Sequence, residues 1–158
     1  MGQLYFRQLL AGRDCGLDHP VAGQMQNFVY LIGDSESREC MIVDPAWAVD
    51  DLVDLVEAED MKLVGALATH YHADHVGGTM YGVTVEGLPR LMERAPCKVH
   101  PHKLESDGIR KLTGLDASDF LAHESADTVI DGQDNCVPVA NTDQADADAG
   151  EDLSLIHN

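Results

Sequence analysis

The stretch Thr69-His70-Tyr71-His72-Ala73-Asp74-His75-Val76-Gly77-Gly78 places three imidazoles and one carboxylate within six consecutive positions. Neutral imidazole and carboxylate are ligands that zinc accepts, and that iron accepts as well. His70 and His72 are two apart, so on an extended backbone their side chains project to one side and can grip one cation. Asp74 and His75 follow a turn, at a predicted helix start, and can face a second point close by. Gly77 and Gly78 leave room for close backbone approach or unusual dihedrals. The competing reading is a solvated, His-rich turn that picks up metal incidentally.

The elements that must position this cluster argue for the metal reading. Leu63-Val64-Gly65-Ala66-Leu67-Ala68 has the length and bounding signals of a buried strand, so the cluster falls where a strand leaves a sheet. Loops held at strand ends are where chemistry is usually placed. Upstream, Phe28 to Ile32 and Cys40 to Val43 read as two strands joined by the hairpin connection Gly33-Asp34-Ser35-Glu36-Ser37. Asp44 ends the second strand and precedes Pro45, so the chain turns there. Its carboxylate can hold a ligand imidazole by its second nitrogen, or simply cap the turn. Ala48 to Glu59 carries Leu52, Val53, Leu55 and Val56 at helical spacing, with acidic residues expected on a solvated face. The order strand, helix, strand predicts a crossover unit and a mainly α/β architecture.

The pattern His70-x-His72-x-Asp74-His75 followed by Gly-Gly resembles the signature of the metallo-β-lactamase-fold hydrolases. Asn27-Phe28-Val29-Tyr30-Leu31-Ile32 and Ile42-Val43-Asp44-Pro45 are similar to the strands preceding that signature in the glyoxalase II-like (hydroxyacylglutathione hydrolase-like) branch. The similarity covers roughly residues 3 to 123. It implies an α/β (α+β) fold: the N-terminal half of an αββα sandwich. It also implies hydrolysis by metal-activated water, with one or two Zn²⁺ ions. His70 and His72 would hold the first ion and Asp74 and His75 the second, with Asp74 also orienting the attacking water. The glyoxalase II-like strands suggest a thioester or related acyl substrate. The same motif occurs in persulfide dioxygenases of this fold, so a single Fe is the alternative cofactor. The family's later Thr-Pro-Gly-His motif and the Asp and His after it have no counterpart before Asn158. The expectation is therefore a fragment with an incomplete site, inactive alone, whose open sheet face calls for the missing C-terminal half or a second copy.

Composition sets further limits. The chain has 28 acidic against 10 basic residues, a formal charge of −18 and a pI near 4.4. Such a surface repels nucleic acid and anionic membranes, leaving a small molecule as the expected substrate. It suits a salt-rich cytoplasm, where screening removes much of the self-repulsion. Cys15, Cys40, Cys97 and Cys136 form no C-x-x-C pair and read as reduced, partly buried thiols. No basic leader or transmembrane-length run is visible, so the expected location is the cytoplasm.

The remaining segments are less telling. Leu4 to Leu9 reads as an edge strand, residues 11 to 26 as a long loop, Leu88 to Arg94 as a helix and Lys98 to His100 as a short strand. His19 reads as surface decoration, while His100, His102 and His123 read as non-ligands. Met80, Tyr81 and Met92 read as packing residues. Residues 1 to 140 form the expected domain portion. From 141 to 158 come an Asp/Ala tract and a final strand-like Leu153-Ser154-Leu155-Ile156-His157.

Overall fold

Short aliphatic runs separated by turn residues pair into one five-stranded sheet in the computed structural model, which describes residues 2–19 and 21–124. The strands are β1 (Leu4–Leu10), β2 (Phe28–Asp34), β3 (Glu39–Val43), β4 (Lys62–Ala68) and, later in the chain, Lys98–Pro101. The first three are antiparallel neighbours. The helix α1 (Ala22–Met25) interrupts the expected 11–26 loop, and α2 (Val49–Ala58) is the crossover that brings β4 parallel to β3. A two-stranded ribbon follows the histidine loop: β5 (Gly78–Met80) and β6 (Val83–Val85), making Lys98–Pro101 β7. Tyr81 and Gly82 link β5 to β6 with φ of 51° and 77°, the two positive values that a tight hairpin turn requires. The sequence reading missed this ribbon because its strands are three residues each, too short for an alternation to register.

Strand register sorts the sheet into two faces. Val29, Leu31, Cys40, Ile42, Ala66 and Val99 lie on one face and are buried beneath the helices. Into that core α2 sends Val49, Leu52, Val53 and Val56, while α4 (Gly87–Arg94) sends Leu88 and Leu91. The helix α5 (Ser106–Thr113) adds Ile109. Burial of these apolar groups is the main stabilising term. The acidic side of α2 is not simply solvated, as expected from sequence. Asp50 accepts from Arg90 and Arg94 of α4, and Asp54 pairs with Arg94. Opposite the core, Phe6, Phe28, Tyr30, Ile32 and Met41 line a second, apolar face, with Phe6 and Phe28 exposed. This single helix-backed sheet is the α/β half-sandwich that the sequence implied.

The 141–158 segment and Cys136 lie outside the described residues. Among the described residues no helix is long and apolar enough to cross a membrane. Cys15, Cys40 and Cys97 are free thiols, the first two buried. Burial pushes each of them up from 9.0 to about 11. A raised thiol pKa depletes the reactive thiolate, so alkylation at pH 8 should be about 100-fold slower in the folded chain than in denaturant. The native rate should climb as pH approaches 11. Peptide mapping of iodoacetamide adducts measures this; equal native and denatured rates would contradict the burial of these thiols.

Candidate metal centre

The histidine loop is held by a carboxylate from the neighbouring strand. Asp44 follows β3 and adopts the left-handed region at φ 51°, a conformation Asp tolerates better than most residues. Its N–H donates to the Leu67 carbonyl of β4 at 3.0 Å, which sets the two strand ends side by side. The Asp44 side chain is only 5% exposed as a residue and accepts three hydrogen bonds. Oδ1 receives the Thr69 N–H at 2.8 Å; Oδ2 receives the Thr69 hydroxyl at 2.6 Å and His75 Nδ1 at 2.9 Å. A carboxylate only accepts, so His75 carries a hydrogen on Nδ1. The Thr69 hydroxyl gives its hydrogen to Asp44, and its oxygen therefore accepts from His70 Nδ1 at 3.0 Å. One buried carboxylate thus orients two imidazoles, directly and through Thr69, and turns the Nε2 atoms of both away from it.

Three rings gather above this anchor. The His70 ring centroid lies 4.0 Å from that of His75 and 4.7 Å from that of His72. His72 caps α3 (Ala73–Val76), the helix expected at Asp74 and His75. From the other side α5 steadies the loop: Glu105 Oε2 accepts the Tyr71 N–H at 2.9 Å, and Gly108 leaves room for the Tyr71 ring. Gly77, at φ 94°, meets Gly87 of α4 so closely that a Cβ on either would strike the other's backbone. The close approach expected of the Gly-Gly pair is realised there. Burial, followed by the charges of His75 and His72, lowers the proton affinity of His70. For His75 burial acts in the same direction, but the Asp44 hydrogen bond and the charges of Asp44 and Asp74 outweigh it and raise its pKa.

Asp74 is 8% exposed, and its Oδ2 lies 3.5 Å from His75 Nε2. Two donors each about 2.1 Å from one zinc ion and set at a tetrahedral angle stand about 3.4 Å apart. The pair therefore matches a shared cation in both chemistry and spacing. His70 and His72 offer two further imidazoles next to it. Among the described residues, however, no group of three or more His, Cys, Asp or Glu side chains is arranged to hold a metal ion as it stands. The donor spacing that fits a metal is that of Asp74 and His75. Asn27, to which the sequence reading gave no role in the site, reaches the same pair: its Nδ2 is 2.9 Å from both Asp74 Oδ2 and His75 Nε2. Thr69 was quoted in the motif without a role. A hydroxyl directly before the first histidine was the available signal for it; nothing local pointed to Asn27.

A cleft of about 430 Å³ opens beside Asp74 and His72, walled by Met25, Tyr71, Thr79, Met80, Tyr81 and Leu112. Tyr81 was expected to pack; it is 83% exposed, lifted out by the ribbon turn. Met80 and Met92 do pack against the core. His19 is not surface decoration: its ring lies 4.7 Å from that of the buried Trp47, and Nδ1 accepts from the N–H of Val21 and Ala22. His100 of β7 stacks on His123, which lies outside that strand, with Nδ1 and Nε2 3.0 Å apart.

Removing the anchor should be costly. Asp44→Ala leaves the Thr69 and His75 donors unpaired and should lower unfolding free energy by about 1–3 kcal/mol. Asp44→Asn keeps an acceptor oxygen and the left-handed backbone, and should cost less. Urea denaturation of both variants measures the difference; an Asp44→Ala variant as stable as wild type would refute the anchor.

Comparison with known proteins places the chain. Over 60 residues it is 40% identical to a hydroxyacylglutathione hydrolase of Pseudomonas savastanoi pv. phaseolicola, a match covering 38% of this chain and 23% of that protein. Over 88 residues it is 42% identical to the mitochondrial persulfide dioxygenase ETHE1 of Mus musculus, covering 52% of this chain and 34% of that one. The chain thus spans about a quarter to a third of the length of these relatives. Among solved structures, ETHE1 from Myxococcus xanthus matches with 28% identity and a TM-score of 0.42 over 61% of this chain and 34% of that one. The metallo-beta-lactamase superfamily profile matches residues 22–154, most of the sequence, and the chain belongs to that superfamily.

Proposed function

We propose that this chain carries the metal-binding portion of a hydrolase that cleaves a thioester or related acyl substrate with metal-activated water. The observation that carries the reading is the Asp44 anchor, which orients His70 and His75 and leaves Nε2 of His75 3.5 Å from the Asp74 carboxylate. His70 and His72 would hold one zinc ion, and Asp74 and His75 a second. The chemistry supplied by a bound zinc is a water whose pKa falls to about 7. Asp74 would accept a hydrogen bond from the attacking water and aim it at the acyl carbon. Tyr71, Met80 and Leu112 would seat the acyl group and exclude bulk water. Similarity to hydroxyacylglutathione hydrolases supports the thioester assignment.

A second reading has its own support. The same donor set suits iron, and the identity to the mouse persulfide dioxygenase extends over 88 residues. A third, non-catalytic reading draws on the two-by-two donor set and on the exposed apolar sheet face, which suits a partner such as a C-terminal half-domain or a second copy. With two donors for each ion, the 158-residue chain should bind metal weakly and turn over slowly by itself.

Metal analysis combined with two assays separates these readings. Zinc content with thioester cleavage supports the hydrolase, and iron content with oxygen uptake supports the dioxygenase. His72→Ala should weaken metal uptake at least about 10-fold, as loss of one of few ligands does. Undiminished uptake by that variant would remove the histidine loop as the metal site.

A further inference from the structure

Asn27 stands between α1 and β2, directly after Gln26, whose left-handed φ of 55° ends the helix. Its carbonyl accepts from the Ala11 N–H at 2.9 Å, so the backbone there is fixed from outside the site. The side-chain Nδ2 approaches three acceptors: Asp74 Oδ2 at 2.9 Å, the Asp74 carbonyl at 3.2 Å and His75 Nε2 at 2.9 Å. The orientation of the amide is settled by this company, because its oxygen in the same place would face two oxygens.

His75 makes the contact informative. Its hydrogen sits on Nδ1, directed at Asp44, so Nε2 presents one in-plane lone pair. A single lone pair accepts from the Asn27 N–H or binds a cation, and cannot do both. Asp74 Oδ2, the other atom of the pair, is engaged by the same NH₂ group. We propose that Asn27 acts as a placeholder: its amide occupies the position a cation would take between Asp74 and His75, and a divalent ion must displace it. This rests on the assignment of Asp74 and His75 as metal donors. The two donors keep their places without Asn27, since α3 carries both and Asp44 holds the His75 ring. The amide therefore acts on metal binding chiefly as a competitor. It also donates a hydrogen bond to the buried Asp74 carboxylate, which stabilises the metal-free fold.

These two effects have opposite signs, and that sets the test. Zinc titration against a chromophoric chelator and urea denaturation of the metal-free protein are measured on the 158-residue chain, wild type and Asn27→Ala. Asn27→Ala should bind zinc about 10-fold more tightly, the removal of roughly one charge-assisted hydrogen bond's competition, while the metal-free protein unfolds at lower urea. A merely structural asparagine would lower both. Should Asn27→Ala fold poorly, Asn27→Asp serves in its place: a carboxylate there repels Asp74 in the metal-free protein and attracts the cation, so the same divergence is expected. A direct readout accompanies these. The Asn27 side-chain NH₂ protons should be protected from solvent exchange without zinc and exchange freely with it. Unchanged or weaker zinc binding by the variants, or protection that persists with zinc bound, overturns the placeholder. Asp74→Asn and His75→Ala separate the two failures. If they leave zinc uptake at wild-type strength, or if wild type takes up none, the donor assignment falls and the placeholder falls with it. If they abolish uptake while Asn27→Ala does not raise it, the placeholder alone is wrong.

Discussion

A buried carboxylate needs partners, and the architecture around the histidine loop follows from how Asp44 finds them. Ionised carboxylate in a dry site is costly unless its lone pairs are occupied by donors. Asp44 obtains three, all from the loop after β4 or the helix that follows it. Charge-assisted bonds of this kind are the stronger class, so they tie the end of β3, the end of β4 and α3 into one unit. The same bonds settle where hydrogens sit on His70 and His75. Structural satisfaction of one anion and orientation of two imidazoles are a single event.

Packing completes what that anion begins. Gly77 and Gly87 let the end of α3 touch the start of α4 backbone to backbone, which any side chain would prevent. Glu105 and Gly108 of α5 pin Tyr71, so the loop is held from the sheet side and from the helix side at once. A loop constrained in this way loses little further freedom when a ligand arrives, which is the physical content of preorganisation. The cleft beside it is walled by methionine, leucine and tyrosine side chains. Such walls strengthen electrostatic interactions at the polar end by excluding water.

The donor set also explains why zinc and iron readings coexist. Imidazole and carboxylate serve either metal, and selectivity comes from coordination number and geometry. Among the described residues Asp74 Oδ2 and His75 Nε2 stand 3.5 Å apart, a spacing that either metal can bridge. Similarity to both hydroxyacylglutathione hydrolases and a persulfide dioxygenase is consistent with a scaffold on which the metal, more than the fold, selects the chemistry.

Much of this was legible in residues 28 to 76, where local signals and global structure agree. The β2–β3 hairpin, the α2 crossover, β4 and the short α3 all follow from periodicity and turn chemistry, and the metal motif could be read because its members are neighbours in sequence. The 81–82 turn, the 106–113 helix and the packing of His19 on Trp47 were not read, since their elements are short or their partners distant. The site divides the same way. Sequence alone nominated side chains for a cation and placed them at a strand end, because residue type and two-residue spacing are local properties. Only the tertiary structure decided that Asp44 serves His75 directly and His70 through Thr69, and that Asn27 reaches Asp74 across 47 positions. Those contacts depend on which strands become neighbours, and strand neighbourhood is set by the burial of the whole sheet rather than by any short stretch of it.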